Sequence, residues 1–143
     1  MRTMIVVLLA IFTTILFTRP DDSVYTEAYM ITNLIAAECM NCPEDDIEYI
    51  TYTLLNRKEH EGFESNIRDV IFEPRQFSSL NRKVVVGNLF KPKVFEKVVD
   101  IIKNKEIPKV LFFIARSCDS ENCSKMKKNR KVVYLSKNHI YFE

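Results

Sequence analysis

The feature that most constrains the fold is a helical repeat of apolar residues in the first third of the chain. Apolar side chains recur at spacings of four, three and four residues, at Val24, Ala28, Ile31 and Ile35. These spacings define one face of an α-helix, for which residues 21–23 supply N-cap candidates. Glu38 is the next residue on that face. The pattern therefore predicts a carboxylate at the end of a buried stripe, where it serves either chemistry or a salt bridge.

A second helix is predicted directly after the first. Asn41 suits the end of the first helix, and Pro43 suits the first position of the next. Three acidic residues follow in the first turn, where the helix dipole favours them: Glu44, Asp45 and Asp46. The apolar face carries this helix to about Lys58, through Ile47, Ile50, Leu54 and Leu55.

Shorter elements are predicted in the middle of the chain. Residues 66–72 form a short helix or an irregular apolar segment, and Pro74 stops any helix there. Residues 75–79 follow as a loop or extended stretch. A further helix is expected over residues 92–103, because Val94, Val98, Ile101 and Ile102 lie on one face.

The last third of the chain changes from helical to β-type patterns. Three β-type runs are found, at residues 110–115, 131–135 and 139–142. The last run can return as a hairpin across Lys137-Asn138. Between the runs, residues 118–123 are interpreted as a loop and the basic stretch 125–131 as a solvated hairpin. Helices followed by a small antiparallel sheet predict an α+β fold.

The N-terminal segment has the character of an export signal. Arg2 precedes an apolar run over residues 4–17, and the next charge is Arg19. About 16 uncharged residues at about 1.5 Å each reach roughly 24 Å, somewhat short of a hydrocarbon core of about 30 Å. We expect an uncleaved signal anchor, with a cleaved signal peptide or a buried helix as alternatives. Residues 1–20 are thus separated from a domain over residues 21–143, which works outside the cytoplasm.

Composition and cysteines bound the class of protein. The chain of 143 residues is 47% hydrophobic and carries a net charge of +2, which indicates one globular domain and gives no argument for nucleic acid binding. Four cysteines form two close pairs, Cys39 with Cys42 and Cys118 with Cys123. An even number suits disulfides, in any of three connectivities, and a four-cysteine zinc site is the rival interpretation.

Several motifs in one order resemble the SleB-type cell wall hydrolase family, the spore-cortex-lytic enzymes and their bacteriophage relatives. The matching segments are Ala36-Ala37-Glu38, Pro43, Leu55-Asn56-Arg57, Asp69 to Ser78, Leu111-Phe112-Phe113 and His139 to Phe142. The resemblance covers roughly residues 28–143. It implies a lysozyme-like or lytic-transglycosylase-like helical domain with a small C-terminal antiparallel sheet. It also implies cleavage of peptidoglycan between N-acetylmuramic acid and N-acetylglucosamine.

The resemblance assigns the role of catalytic acid and base to Glu38. Apolar surroundings would raise the pKa of this carboxyl group and keep it protonated for the departing glycosidic oxygen. The family's second glutamate is replaced by Cys42, which leaves Glu73 and Asp69 as weaker second carboxylates. We therefore favour a lytic transglycosylase that uses Glu38 alone. The alternative for Glu38 is a buried ion pair, with Arg57 or Arg75.

Four further residues are candidates for substrate binding: Gln76, Ser78, Phe113 and His139. Gln76 and Ser78 match the family's Q-F-S segment, where an amide and a hydroxyl can bind sugar groups. Phe77 between them is expected to be a core residue, and a structural role is the alternative for His139. Asn56 and Arg57 are expected to be structural, joining the second helix to the loop of Gln76.

The sequence also departs from the family pattern shortly after the aromatic pair Phe112-Phe113. The family usually carries Asn-Pro there, and this chain has Ala115-Arg116. A disulfide at Cys118–Cys123 could brace that edge of the cleft instead. The basic stretch 125–131 offers an alternative role in attracting anionic wall polymer or a membrane surface.

These observations predict a peptidoglycan-cleaving enzyme that is exported, either membrane-anchored through its N-terminal segment or secreted. We expect a monomer with no cofactor, no metal and no nucleic acid partner. A catalytically inactive wall-binding module on the same fold is the alternative. A zinc amidase is disfavoured, because only His60 and His139 are present as histidine ligands.

Overall fold

The computed structural model describes residues 22–39, 41–74, 77, 91–104 and 106–143. Within these residues the helices are α1 (Asp22–Glu38), α2 (Glu44–Glu59), α3 (Ile67–Phe72), α4 (Pro92–Lys103) and α5 (Glu121–Asn129). The strands are β1 (Phe112–Ala115), β2 (Val132–Leu135) and β3 (His139–Phe142). The predicted α+β class with a small C-terminal antiparallel sheet is confirmed, but α5 lies between β1 and β2.

None of the described helices has the length and apolar character needed to cross a membrane. The apolar run over residues 4–17, on which the anchor prediction rests, lies outside the described residues. The division of the chain at residue 20 therefore stays a prediction.

The helical body is built on the apolar stripe of α1. Ala28, Ile31 and Ile35 of this stripe are fully buried, as the spacing predicts. Helix α1 packs mainly against α4 and also contacts α3 and α2. Burying each of the two isoleucine side chains contributes about 1.5–3 kcal/mol, so the stripe fixes how α1 packs on the other helices.

The sheet has the order β1-β3-β2, with both pairings antiparallel. Phe113 of β1 lies opposite Tyr141 of β3, and Ala115 lies opposite His139. Tyr49 of α2 joins the sheet to the helices, because its ring stacks on Tyr134 with centroids 4.1 Å apart. The C-terminal hairpin is thereby held against the N-terminal half of α2.

Asn56 and Arg57 tie the end of α2 to the chain that enters β1. The Asn56 amide donates to the carbonyl oxygens of Pro108 and Val110, at 2.7 and 3.1 Å. Arg57 Nε donates to the carbonyl oxygen of Leu111 at 2.7 Å. Both side chains thus have a structural role, as predicted, but these hydrogen bonds go to the segment before β1 and not to the loop of Gln76. The guanidinium of Arg57 also lies 5.7 Å from the ring of Phe77, a residue of the predicted loop 75–79 that contains Gln76.

Helix α5 was not expected, and the interpretation of residues 125–131 as a hairpin is wrong. Ser120 caps this helix by accepting a hydrogen bond from the backbone N–H of Cys123. Glu121 stands in the first turn and pairs with Lys125 at 2.7 Å. A cap, an acidic first turn and basic residues near the end favour a helix here.

Both cysteine pairs form disulfides, Cys39–Cys42 and Cys118–Cys123. The prediction of disulfides is confirmed, and the connectivity is local. A disulfide sulfur offers no thiolate to a metal, so the four cysteines as bonded here do not form a zinc site.

We expect peptide mapping without reduction to find both disulfides within short segments. Cleavage between the two pairs should yield no cross-linked peptide joining the segment of Cys39 to that of Cys118. A loop this short constrains the unfolded chain by about 2 kcal/mol, so replacing either pair by serines should lower the free energy of unfolding by about that amount. A peptide that links the two segments would contradict this connectivity.

Candidate active site

Glu38 is the last residue of α1, at the end of the buried stripe, and its side chain is half-buried. The backbone N–H of Cys39 extends the helical hydrogen bonding by one residue, to the carbonyl oxygen of Ile35 at 2.9 Å. The disulfide from Cys39 to Cys42 then closes the turn before α2 begins at Glu44. Glu38 therefore lies at the end of a helix, and the turn that follows it is restrained by a disulfide.

A buried carboxylate lies immediately behind this turn. Asp46 has no exposed surface, and one of its carboxylate oxygens lies within 4.8 Å of the sulfurs of Cys39 and Cys42. Its Oδ1 accepts from the hydroxyls of Ser136 and Tyr141, and the Tyr141 oxygen is 2.6 Å away. The Asp46 carboxylate thus connects the first turn of α2 with the C-terminal hairpin.

The surroundings of Tyr141 and Ser136 both favour donation of a hydrogen bond to this carboxylate. Tyr141 is fully buried, and its burial together with its hydrogen bond to Asp46 holds the tyrosine pKa far above its ordinary value. Its hydroxyl therefore remains a donor. Ser136 Oγ accepts from the backbone N–H groups of Asn138 and His139, at 3.2 and 2.8 Å, while it donates to Asp46. The hairpin turn is built around the group that binds Asp46.

Two of the predicted substrate-binding residues come together on the sheet. Phe113 and His139 lie on the neighbouring strands β1 and β3, with ring centroids 5.5 Å apart and planes nearly perpendicular. Nδ1 of His139 is 3.1 Å from Asp46 Oδ1. Both rings are half-buried. The other two candidates, Gln76 and Ser78, lie outside the described residues.

The loop of Gln76 nevertheless has one described residue. Phe77 is buried in the core, and its ring lies 6.2 Å from that of Phe113. The expectation that Phe77 is a core residue is confirmed. Its contact with Phe113 brings this part of the loop to the sheet that carries His139.

The two weaker second carboxylates differ in their surroundings. Asp69 is exposed on α3, where its backbone N–H donates to the N-cap residue Asn66 and its carboxylate accepts from the Asn66 amide. Glu73 is half-buried, and its Oε2 has no hydrogen-bond partner among the described residues. Glu73 also lies in the field of Arg57, whose pKa is lowered to about 10 by burial while Glu73 acts to raise it. Of the two, only Glu73 combines partial burial with a nearby positive charge, as a carboxylate with a functional or structural role would.

The ion-pair alternative for Glu38 stays a prediction, and the described contacts of Arg57, one of its two proposed partners, are with aromatic rings and a backbone carbonyl. The Arg57 guanidinium lies over the rings of Phe63 and Phe112, at 5.1 and 5.5 Å, in addition to Phe77. Its charge is thus placed at the junction of α2 and β1. Arg75, the other proposed partner, lies outside the described residues.

A cavity of about 270 Å³ flanks the turn after Glu38. The disulfide forms part of its wall, together with Asn41, Lys91 and apolar side chains of α1, α2 and α4. Its volume is slightly below that of an ordinary ligand site. We therefore regard it as one side of a binding region, and not as a complete groove for a glycan strand.

Sequence reasoning missed the network around Asp46. Asp46 is one of three acidic residues in the first turn of α2, and that position alone explains its charge. Its partners Ser136 and Tyr141 lie 90 and 95 residues further along the chain. The available signal was a serine and a tyrosine flanking the predicted hairpin turn, which does not point to a particular carboxylate.

Comparison with known proteins assigns the chain to a family. A family model described as Cell Wall Hydrolase matches residues 43–142, more than half of the chain. The chain belongs to the cell wall hydrolase family. The matched range begins at Pro43, so Glu38 lies outside it. At the level of sequence, no curated protein matches the chain.

The fold of this cell wall hydrolase is shared with two solved structures. The catalytic domain of the Bacillus cereus SleB protein superposes with a TM-score of 0.69 at 19% identity, covering 82% of this chain and 89% of that one. The catalytic domain of the germination-specific lytic transglycosylase SleB from Bacillus anthracis gives 0.67 at 18% identity, covering 89% and 98%. The resemblance to SleB-type hydrolases and the predicted fold class are both confirmed.

Membership in the cell wall hydrolase family supports a peptidoglycan-degrading enzyme that acts on the cell wall. Action at the wall agrees with the prediction of export. Family membership alone does not identify the bond that is cleaved or the residues that cleave it.

Proposed function

We propose that this cell wall hydrolase cleaves glycan strands between N-acetylmuramic acid and N-acetylglucosamine, as a lytic transglycosylase with Glu38 as its acid and base. The observation that carries the proposal is the position of Glu38. It is half-buried at the end of a buried helical stripe, one residue before the disulfide that lies against Asp46. Asp46 in turn contacts His139, which lies beside Phe113.

A single carboxyl group can carry out both proton transfers. Protonated Glu38 donates its proton to the glycosidic oxygen as the bond to C1 of N-acetylmuramic acid breaks. The resulting carboxylate then accepts the proton of the sugar's own 6-hydroxyl, whose oxygen bonds to C1. The proton lost in the first step is regained in the second, no water is consumed, and the product carries a 1,6-anhydro ring.

The other acidic groups near this region support a single-carboxylate mechanism. Cys42, at the position of the family's second glutamate, is in a disulfide and therefore has no proton to exchange. Asp46 is fully buried and cannot touch a sugar. Asp69 is exposed at the start of α3, where its carboxylate accepts from the Asn66 amide, and Glu73, in the field of Arg57, is left as the weaker candidate for a second carboxylate.

We further propose that the glycan strand lies across the sheet side of this region. Phe113 supplies an apolar face, His139 a polar contact, and Gln76 with Ser78 hydrogen bonds to hydroxyl and acetamido groups. The N-terminal segment is proposed to anchor the enzyme to the membrane on the cell wall side.

Mass spectrometry of sacculi digested with the purified protein tests the reaction. We expect soluble muropeptides with 1,6-anhydro-N-acetylmuramic acid ends. Products with reducing ends would instead identify a hydrolase that uses water, and would contradict the single-residue mechanism.

One observation favours a second function. The loss of the family's second carboxylate at Cys42 would also suit a catalytically inactive wall-binding module. Such a module would co-sediment with sacculi and release no muropeptides, whereas the enzyme releases them. The same digestion therefore separates the two functions.

A further inference from the structure

The hydrogen bonds around Asp46 determine which nitrogen of His139 carries a proton. The Oδ1 atom of Asp46 is approached by the hydroxyls of Ser136 and Tyr141 and by Nδ1 of His139. Both hydroxyls donate to Oδ1, so this oxygen acts as an acceptor. His139 therefore also donates to it, through Nδ1–H. In the neutral ring, Nε2 then keeps a free lone pair.

The other histidine of the chain has the opposite arrangement. Nδ1 of His60 accepts from the backbone N–H of Gly62 at 3.1 Å, which requires its proton to be on Nε2. His60 is exposed, and its ring contacts that of Phe63. The protein thus contains two histidines, one of each neutral tautomer, and each can serve as the reference for the other.

The ring of His139 is fixed in place but is not sealed from solvent. It packs edge-on against Phe113 and lies 6.0 Å from the ring of Tyr141. Its side chain retains 11% of its exposed surface. Within the part of the chain that the structure describes, no hydrogen bond involves Nε2. The ring is therefore held through Nδ1, and part of the side chain remains exposed.

We propose that Asp46 is a positioning residue that holds His139 as the Nδ1–H tautomer, so that Nε2 accepts a hydrogen bond from the glycan. The identity of the ligand rests on the proposed function. The groups that would donate are those in which a glycan strand is rich, namely sugar hydroxyls and acetamido N–H groups. Asp46 acts only through His139, because it has no surface of its own with which to touch a sugar.

The proposal gives the buried network a functional purpose beyond stability. A neutral imidazole accepts at one nitrogen and donates at the other, and the choice reverses if the partner of Nδ1 changes. With an acceptor at Nδ1, Nε2 can select sugar donors. If the partner of Nδ1 were a donor, the ring proton would be on Nε2. Nε2 could then not accept a hydrogen bond from a sugar hydroxyl or N–H group.

Nitrogen-15 NMR of the histidine side chains tests the tautomer without any glycan. The spectrum is recorded where the nitrogen signals no longer change as the pH is raised, and it should contain one Nδ1–H and one Nε2–H histidine. A His60→Gln variant assigns the two, since the remaining signal belongs to His139. Observation of His139 as the Nε2–H tautomer would overturn the proposal, whatever the protein does to sacculi.

The variants Asp46→Ala and Asp46→Asn test the positioning role. Alanine removes the acceptor of Nδ1–H, so we expect His139 to shift towards the Nε2–H tautomer and KM for glycan strands to rise about tenfold, with a smaller change in kcat. Asparagine can place its carbonyl oxygen at Oδ1 and its NH2 group at Oδ2, which has no hydrogen-bond partner among the described residues, so Asp46→Asn should keep the Nδ1–H tautomer. Asp45→Ala is the matched control from the same turn and should leave the tautomer unchanged, because the Asp45 carboxylate accepts from Tyr134 and from the backbone N–H of Asp46 and does not contact His139. An unchanged tautomer in Asp46→Ala, with the fold checked by circular dichroism, would contradict the proposal.

The wild-type side chains also permit a direct binding test. Soluble glycan strands added to the Glu38→Gln protein, which keeps Asp46 and His139, should shift the Nε2 resonance of His139 and leave that of His60 in place. Binding of the strands without any change at His139 Nε2 would overturn the contact with glycan. Release of muropeptides by the wild-type protein is measured separately, so a failure of the proposed reaction is distinguishable from a failure of this inference.

Discussion

Replacing Glu38 by glutamine is expected to lower the release of soluble muropeptides from sacculi by about 10³-fold, with the fold unchanged. The substitution keeps the size of the side chain and its capacity for hydrogen bonding, and it removes the transferable proton. General acid and base catalysis by one residue contributes about 10²–10⁴-fold, and Glu38 is proposed to supply both steps. The measurement is the rate of turbidity loss of purified sacculi, with circular dichroism as the check on folding.

The chain provides a matched control in Glu59. It is the last residue of α2, just as Glu38 is the last residue of α1, and it is exposed. Glu59→Gln should therefore clear sacculi at the wild-type rate. Undiminished clearing by Glu38→Gln would remove Glu38 from the mechanism, and an equal loss in both variants would indicate a general effect of charge at helix ends.

Replacing Arg57 by alanine is expected to lower the free energy of unfolding by about 3 kcal/mol. The side chain is 4% exposed and donates to the carbonyl oxygen of Leu111. Its removal leaves that oxygen unpaired, opens space among Phe63, Phe77 and Phe112, and takes the nearby positive charge away from Glu73. Loss of a buried hydrogen bond, of packing by a long side chain and of a buried charge partner accounts for the size of the effect.

Chemical denaturation measured alongside Arg68→Ala gives the comparison for Arg57. Arg68 lies on the exposed side of α3, and its replacement should change stability by no more than about 0.5 kcal/mol. Arg57→Lys should recover only part of the loss, because lysine has no planar group to place over the rings while it donates to Leu111. Equal stability of the two alanine variants would show that the junction of α2 and β1 does not depend on Arg57.

The helices of the body were predictable because each has to bury one apolar face. Ala28, Ile31 and Ile35 repeat with the period of a helix, and the structure buries all three. The helix at Pro92–Lys103 was predicted with the observed bounds, since a proline marks its start and four apolar residues form its face. In such segments local pattern and tertiary packing require the same residues.

Helix α5 was not predictable in this way, because it has hardly any apolar face to bury. Cys123 is its buried residue, and the rest of it is mostly polar or basic. Its stability comes from the cap at Ser120, from paired charges and from the disulfide to Cys118. Periodicity of apolar residues does not detect a helix held by these interactions.

Glu38 and the Asp46 network illustrate the same difference at the candidate site. Glu38 was found because it lies in a recognisable motif at the end of a periodic stripe. Nothing in the local sequence distinguishes Asp46 from the other acidic residues of its turn. Glu44 in the same turn is exposed and pairs with Lys97. Only the folding of the C-terminal hairpin onto α2 gives Asp46 its partners, and no local pattern encodes that approach.

The central position of β3 has a consequence for synthesis of the protein. Within the described residues, β1 and β2 each pair with β3 and not with one another. Neither can complete its hydrogen bonding until residues 139–142 have left the ribosome, and at about 5–20 residues per second the helices precede the sheet by seconds. A message that stops before His139 would produce a chain with helices but no sheet. Such a truncated product would also lack His139 and Tyr141, so Asp46 would keep neither of its contacts with β3.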